Sequence, residues 1–315
     1  MPIIDLHCDT ITELLRLKKS LKKNELNVSI EKLLASDVLC QFFAIFVKLE
    51  NYETIDEAWE YYLKVYSKFD MEITQNSDSI ALSLNYDDIL KNRSEGKISA
   101  FLTVEEGGIC GDKLKRLDEL HQMGVRLITL TWNYENSIGF PNSSDVGIMS
   151  SGLKTFGKDF VKKMNSLGML IDVSHLSDKG FWDVVELSKY PFVASHSNAR
   201  AITNVTRNLD DPMLKALADK GGVTGINFFS KFLGDDGQGS VEQMVTHINH
   251  IKNVAGIDVI AVGSDFDGFT GNCEIKDSSE YIKLIEALKA EKYTSEEIDK
   301  ITYKNAARVI QEVVR

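Results

Sequence analysis

His7 and Asp9 stand two residues apart at the end of an apolar run, in MPIIDLHCDTITELL. On a strand, side chains at i and i+2 point to one side, so this pair offers an imidazole nitrogen and a carboxylate oxygen to a single point. Those donors suit Zn²⁺, Mn²⁺ or Fe²⁺. Related groups close other short apolar runs. Glu105 ends ISAFLTVE, His175 ends MLIDVSH, His196 lies in FVASHS, and Asp265 and Asp267 lie in VIAVGSDFDG. The other three histidines, His121, His247 and His250, fall in helical intervals and read as solvated or packing residues.

Each residue also has a plainer reading. An HxD pair is frequent by chance, His175 alone reads as a satisfied core imidazole, and His196 alone reads as a cap on the next helix. Their joint placement favours a metal centre. Two sets of three ligands can be drawn from them, with one carboxylate bridging ions about 3.5–4 Å apart. Water held between such ions is acidic enough to supply hydroxide near neutral pH, and Asp265 is the group to take its proton and return it to a leaving amine. Asp267, in DFDG, reads instead as turn chemistry.

These groups need a scaffold that brings distant strand ends together. Apolar runs begin near residues 3, 39, 98, 127, 169, 192, 222 and 259, too short for helices and too continuously apolar for a half-exposed sheet, as strands buried on both faces are. Helix signals lie between them. Thr54/Glu57 and Thr294/Glu297 have capping-box spacing, Ile55, Trp59, Tyr62 and Tyr66 recur at helical period, and Gly124 and Gly168 read as helix stops. Eight strands alternating with helices predict an α/β fold, a (β/α)8 TIM barrel, whose strand ends form the site at the C-terminal rim. With no repeat, linker or low-complexity tract, residues 1–315 read as one barrel domain with a helical excursion around 51–97.

Composition narrows the function. A 315-residue chain with 43% apolar residues, 26% charged residues and four prolines is a globular protein with a large core. Its formal net charge of -11, with no dense Lys/Arg cluster, disfavours nucleic acid and anionic lipid as partners. The cysteines, Cys8, Cys40, Cys110 and Cys273, are scattered without a CxxC pair, which fits reduced thiols. With no signal-peptide pattern and no long apolar stretch, the expected location is cytoplasmic.

The segments DLHCDT, QFF at 41, TVEEGG, LTW followed by Asn133, IDVSH, SHSNAR with TRNLDD, INFF, VAG and GSDFDG, in this order, resemble the membrane dipeptidase (renal dipeptidase) family of zinc peptidases, peptidase family M19. The likeness runs nearly end to end and implies a metallo-dependent hydrolase barrel related to the amidohydrolases. It implies two Zn²⁺ per chain, other divalent transition metals being possible, with His7 and Asp9 in the first site, His175 and His196 in the second, and Glu105 as bridge. Asp265 inherits the role beside the bridging water, so Asp265 and Glu105 are the candidate catalytic carboxylates. Arg207, eleven positions after His196, inherits the arginine that holds the substrate's C-terminal carboxylate; a surface pairing with Asp210 or Asp211 is the alternative. The family further implies dipeptide substrates, tolerance of a D-residue at the C-terminal position, and a homodimer. The lipid-anchor signal of animal members is absent, as in a soluble bacterial-type relative.

The chain departs from the family at three places. Glu105-Glu106-Gly107 replaces V-E-G, which leaves the register of the bridge open by one residue, with Glu105 favoured because it directly follows the apolar run. Trp132 stands where renal enzymes carry a histidine thought to polarise the scissile carbonyl, and an indole accepts no hydrogen bond. Asn133 or Asn136 is the candidate replacement donor; Arg207, Asp265, Trp132 and Asn133 are the expected substrate contacts. YKN at 303 replaces a common G-G-N, a matter of helix packing. Alternatives are a metal-dependent hydrolase of another amide, lactam or ester bond, and a non-catalytic barrel that keeps its metal for stability.

Overall fold

The computed structural model describes all residues 1–315, and its strands form one parallel sheet closed on itself. They are β1 (Ile3–Cys8), β2 (Val38–Phe46), β3 (Ile80–Leu82), β4 (Ile98–Glu105), β5 (Val125–Thr129), β6 (Leu170–Asp172), β7 (Val193–Ala194), β8 (Val223–Ile226) and β9 (Ile260–Val262). Their order is β2-β1-β9-β8-β7-β6-β5-β4-β3, and pairing of β2 with β4, from Cys40↔Ser99 to Phe46↔Glu105, completes the circle. Eight of these are the expected strands, with helices between them, and they make the (β/α)8 barrel.

The 51–97 interval holds a helical excursion and, in addition, a ninth strand. Its two helices, Ile55–Gln75 and Tyr86–Ser94, flank β3, which pairs with the first half of β4 from Ile80↔Ile98 to Leu82↔Ala100. Beyond that point β5 takes over the same edge, from Leu102↔Val125 onward. Local signals along the chain behave as read: Thr54 and Thr294 both form capping boxes, and Gly168 caps its helix at φ 68°, a backbone state that glycine adopts without a Cβ clash.

Several strands stop earlier than their apolar runs. β6 ends at Asp172, three residues before His175, and β7 ends at Ala194, two before His196. The cause is side-chain competition for the backbone. Asp172 Oδ1 accepts from the amides of both Ser174 and Ser195, and Asp5 Oδ1 accepts from Ser264 N just after β9, each at 2.8–2.9 Å. Carboxylates therefore take over where the ladder would continue, and the chain is released into loops at the rim.

The interior is apolar at the other end. Leu6, Phe42, Phe101, Leu127, Leu170, Val193, Val223 and Ala261, one from each barrel strand, meet in a single cluster with the helix Asn305–Val313. That helix closes the N-terminal end of the barrel, so the open rim lies opposite. All four cysteines are buried and unpaired. No helix is long and apolar enough to cross a membrane.

Candidate active site

At the C-terminal rim the five expected ligand residues converge. Glu105, last residue of β4, is buried at the centre: its Oε2 lies 3.4 Å from His7 Nε2, and its Oε1 lies 3.0 Å from His175 Nε2 and 3.6 Å from His196 Nε2. The two oxygens of one carboxylate thus face two separate imidazole groups. Asp9 Oδ2 stands 3.4 Å from His7 Nε2, and Asp265 Oδ1 stands 3.9 Å from it. Two triads, His7–Glu105–His196 and His7–Asp9–Asp265, place their donor atoms within 4.8 Å of one another.

The backbone that delivers these groups is less regular than a straight strand. β1 has a register shift between Asp5 and Cys8, and Asp9 lies past its end at the N-terminus of the helix Thr10–Leu17. His7 and Asp9 therefore meet through a strand-to-helix turn. Cys8, between them, packs into the core. His175 and Asp265 adopt left-handed backbone, φ 66° and 62°, which non-glycine residues rarely take and which aims both side chains inward. Glu106, at φ 90°, turns the other way: its carboxylate accepts from the amides of Gly108 and Trp132 and from the Asn136 side chain. Glu105, not Glu106, occupies the rim.

Electrostatics inside the cluster are tightly balanced. Burial alone would neutralise His7, but Glu105 and Asp9 hold its pKa well above the usual value. Burial raises Asp9 to about 7, with Glu105 adding to the shift. Asp265 is raised to about 6 for the same two reasons, against His7. Burial and then Arg207 lower His175 to about 4. Both ring nitrogens of His7 and Oδ1 of Asp9 are buried without a hydrogen-bond partner. Orphaned imidazole and carboxylate atoms beside a shared carboxylate fit the donor set of a divalent metal centre.

Supporting contacts fix the rings. His175 Nδ1 lies 2.8 Å from Asn133 Oδ1, and His196 Nδ1 lies 2.7 Å from Ser195 Oγ, which itself lies 2.6 Å from Asp172 Oδ2. Asn227 donates to Asp265 Oδ2 at 2.9 Å. Asp172, Ser195 and Asn227 were not singled out in the sequence, although each sits inside or beside a motif that was. Asn136 does not reach the rim: its amide donates to Glu106 and to Leu130 O, so of the two candidate neutral donors only Asn133 lines the cleft. Asp267 accepts from Thr10 Oγ1 at 2.6 Å and Asn27 N at 2.8 Å, contacts with distant parts of the chain rather than within the DFDG turn.

Arg207 is buried beside this cluster. It donates from Nη1 to Ser197 Oγ and from Nη2 to His196 O, leaves Nε unpartnered, and forms no ion pair. The alternative surface pairing is absent: Asp210 caps the helix Asp211–Asp219, and Asp211 pairs with His250. Trp132 lines the cleft, its ring 4.9 Å from that of Phe46.

Residues 1–315 match, as a whole, the profile of membrane dipeptidase (peptidase family M19). The chain belongs to that family. An uncharacterised dipeptidase of Schizosaccharomyces pombe is 31% identical over 90% of this chain and 71% of its own length. An uncharacterised Klebsiella pneumoniae protein, from the 5′ region of pqqA, is 36% identical over 76% of this chain and 92% of its own. Among solved structures, a Rhodobacter sphaeroides metallopeptidase liganded with a phosphinate mimic of the dipeptide L-Ala-D-Ala superposes with a TM-score of 0.91 at 25% identity, over 99% of each chain. M19 membership makes this chain a metallodipeptidase on a metallo-dependent hydrolase barrel.

Proposed function

We propose that this chain is a binuclear zinc dipeptidase that cleaves dipeptides carrying a free C-terminal carboxylate and accepts a D-residue at that position. The observation that carries the two-metal reading is the division of Glu105, one oxygen toward His7 and the other toward His175 and His196. His7 and Asp9 with Glu105 would hold one ion, and His175 and His196 with Glu105 the other. When bound, such ions supply Lewis acidity toward the scissile carbonyl and an acidified water.

The remaining roles fall to side chains. Asp265, steadied by Asn227, takes the proton of the attacking water and returns it to the leaving amine. Arg207, buried, unpaired and with a free N–H, receives the substrate carboxylate, whose planar geometry matches a guanidinium. Trp132 and Asn133 line the cleft in which the dipeptide lies. Tolerance of a D-residue is supported by the L-Ala-D-Ala mimic bound by the Rhodobacter sphaeroides relative. A single barrel unit over 1–315 is supported by the whole-chain family match, and a cytoplasmic location by four unpaired thiols. The homodimer rests on the family resemblance.

Elemental analysis of purified protein beside a panel of L,L and L,D dipeptides tests this reading. Two zinc ions per chain and L,D cleavage are expected, with Arg207→Ala raising KM for free dipeptides and amidated dipeptides turning over poorly. Equal turnover of free and amidated dipeptides would overturn the carboxylate-holding role.

A further inference from the structure

The cleft over the ligand cluster encloses about 250 Å³, and every apolar residue lining it is aromatic: Phe46, Trp132, Phe229, Phe232 and Phe269. All five are part-exposed, while the phenylalanines just behind them, such as Phe228 and Phe266, are fully buried. Large apolar faces left open around a reactive centre mark a surface that a ligand covers.

The five rings form two separate groups. Phe46 and Trp132, at and just beyond the ends of β2 and β5, pair at 4.9 Å between centroids. Phe229 meets Phe232 at 4.9 Å and Phe269 at 5.1 Å, and these three follow β8 and β9. Arg207 stands behind the cleft wall on one side, its guanidinium 5.4 Å from the centroid of the Phe232 ring that lines the cleft. A dipeptide whose carboxylate reaches Arg207 past Phe232 would put its C-terminal side chain toward Phe229, Phe232 and Phe269, and its N-terminal side chain toward Phe46 and Trp132. Of the carboxylates in the lining, Asp9, Glu105 and Asp265 belong to the ligand cluster, which leaves Glu13 and Asp267 as the acidic groups that face a substrate side chain.

We propose that these two aromatic groups are side-chain subsites that select dipeptides with large apolar or aromatic residues at both positions and reject acidic ones. Trp132 is a specificity-determining residue for the N-terminal side chain, and Phe269 for the C-terminal one. The inference rests on the dipeptidase reading and on Arg207 as the carboxylate anchor.

The test is kcat/KM of the metal-replete full chain on Ala-Ala, Phe-Ala, Ala-Phe and Asp-Ala, all L,L. Phe-Ala and Ala-Phe should each exceed Ala-Ala by roughly 10- to 100-fold, the range that burial of one large side chain supplies, and Asp-Ala should fall below it. Trp132→Ala should collapse the Phe-Ala/Ala-Ala ratio while keeping the Ala-Phe/Ala-Ala ratio; Phe269→Ala should do the reverse. Ratios taken within one variant do not depend on the fraction that folds, and Trp132→Leu offers a less disruptive check. Cleavage of Ala-Ala as fast as the phenylalanine dipeptides, or equal loss of both ratios in each variant, would overturn the subsites and leave the dipeptidase reading standing. Cleavage of none of the dipeptides would overturn both.

Discussion

Asp172 reaches the His196 ring through a single hydroxyl. Ser195 Oγ donates to Asp172 Oδ2 at 2.6 Å, which leaves its lone pairs facing His196 Nδ1 at 2.7 Å. Nδ1 must then carry the hydrogen, and Nε2 presents a bare lone pair toward Glu105. Despite its burial, the Asp172 carboxyl stays below its usual pKa, its charged form favoured by the hydrogen bonds from Ser195 and Thr129. It remains an acceptor, and the tautomer of His196 is set from behind.

Removing this support should loosen metal without dismantling the barrel. Ser195→Ala is expected to weaken metal affinity by roughly 10- to 100-fold, as loss of an outer hydrogen-bond partner of a ligating histidine typically does. Chelator competition measures it, with circular dichroism as the check on folding. Unchanged affinity would show that the hydroxyl does not set the tautomer.

Asp265→Asn keeps the shape of the side chain and removes its basicity. If Asp265 carries the proton, kcat should fall by about 10²- to 10⁴-fold with zinc content retained, and the pH profile should lose one limb. A variant with near-normal kcat would assign proton transfer elsewhere.

Beneath the site two backbones touch. A Cβ on Gly263 would lie 1.8 Å from Ser195 O and 3.0 Å from Gly225 Cα, both backbone atoms that cannot step aside. Gly263→Ala should therefore destabilise by about 1–3 kcal/mol, the usual range for overpacking, and appear as a lowered denaturant midpoint. It should also disturb His196, because the displaced carbonyl belongs to the residue before it.

His247 gives a pH dependence outside the ligand cluster. Its Nδ1 accepts from Ala199 N, its Nε2 faces Leu233 O, and burial together with nearby His250 lowers its pKa to about 4. Between pH 6.5 and 4 the unfolded chain binds a proton that the folded chain refuses. Stability is thus fully present above 6.5 and is lost as pH falls, by on the order of 3 kcal/mol from this residue at most. Equilibrium unfolding across that window should fall more steeply for wild type than for His247→Gln; parallel curves would count against it.

Much of this was readable because burial leaves a strong mark on composition. Eight strands covered on both faces had to be short apolar runs, and polar residues ending them had few places to go but one rim. β3 escaped notice because three residues pairing with half of one strand need no long apolar run. The left-handed turns at His175 and Asp265 were invisible for another reason: their φ angles are imposed by the loops around them, and neither residue type announces that state. Glu106 illustrates the limit most sharply. It is the same residue type as Glu105 and as buried, and only the turn of the chain between them sends one carboxylate into the rim and the other beneath Trp132.

The helix Asn305–Val313, which seals the barrel floor, has a consequence for how the protein comes into being. His7 emerges long before this helix, and β1 must wait for β9, whose following loop places Asp265 N 3.2 Å from His7 O. A nascent chain still on the ribosome holds imidazoles and carboxylates that are not yet neighbours, over an interior open to water. The five expected ligand residues therefore come together at one rim only once β9 has closed the barrel against β1.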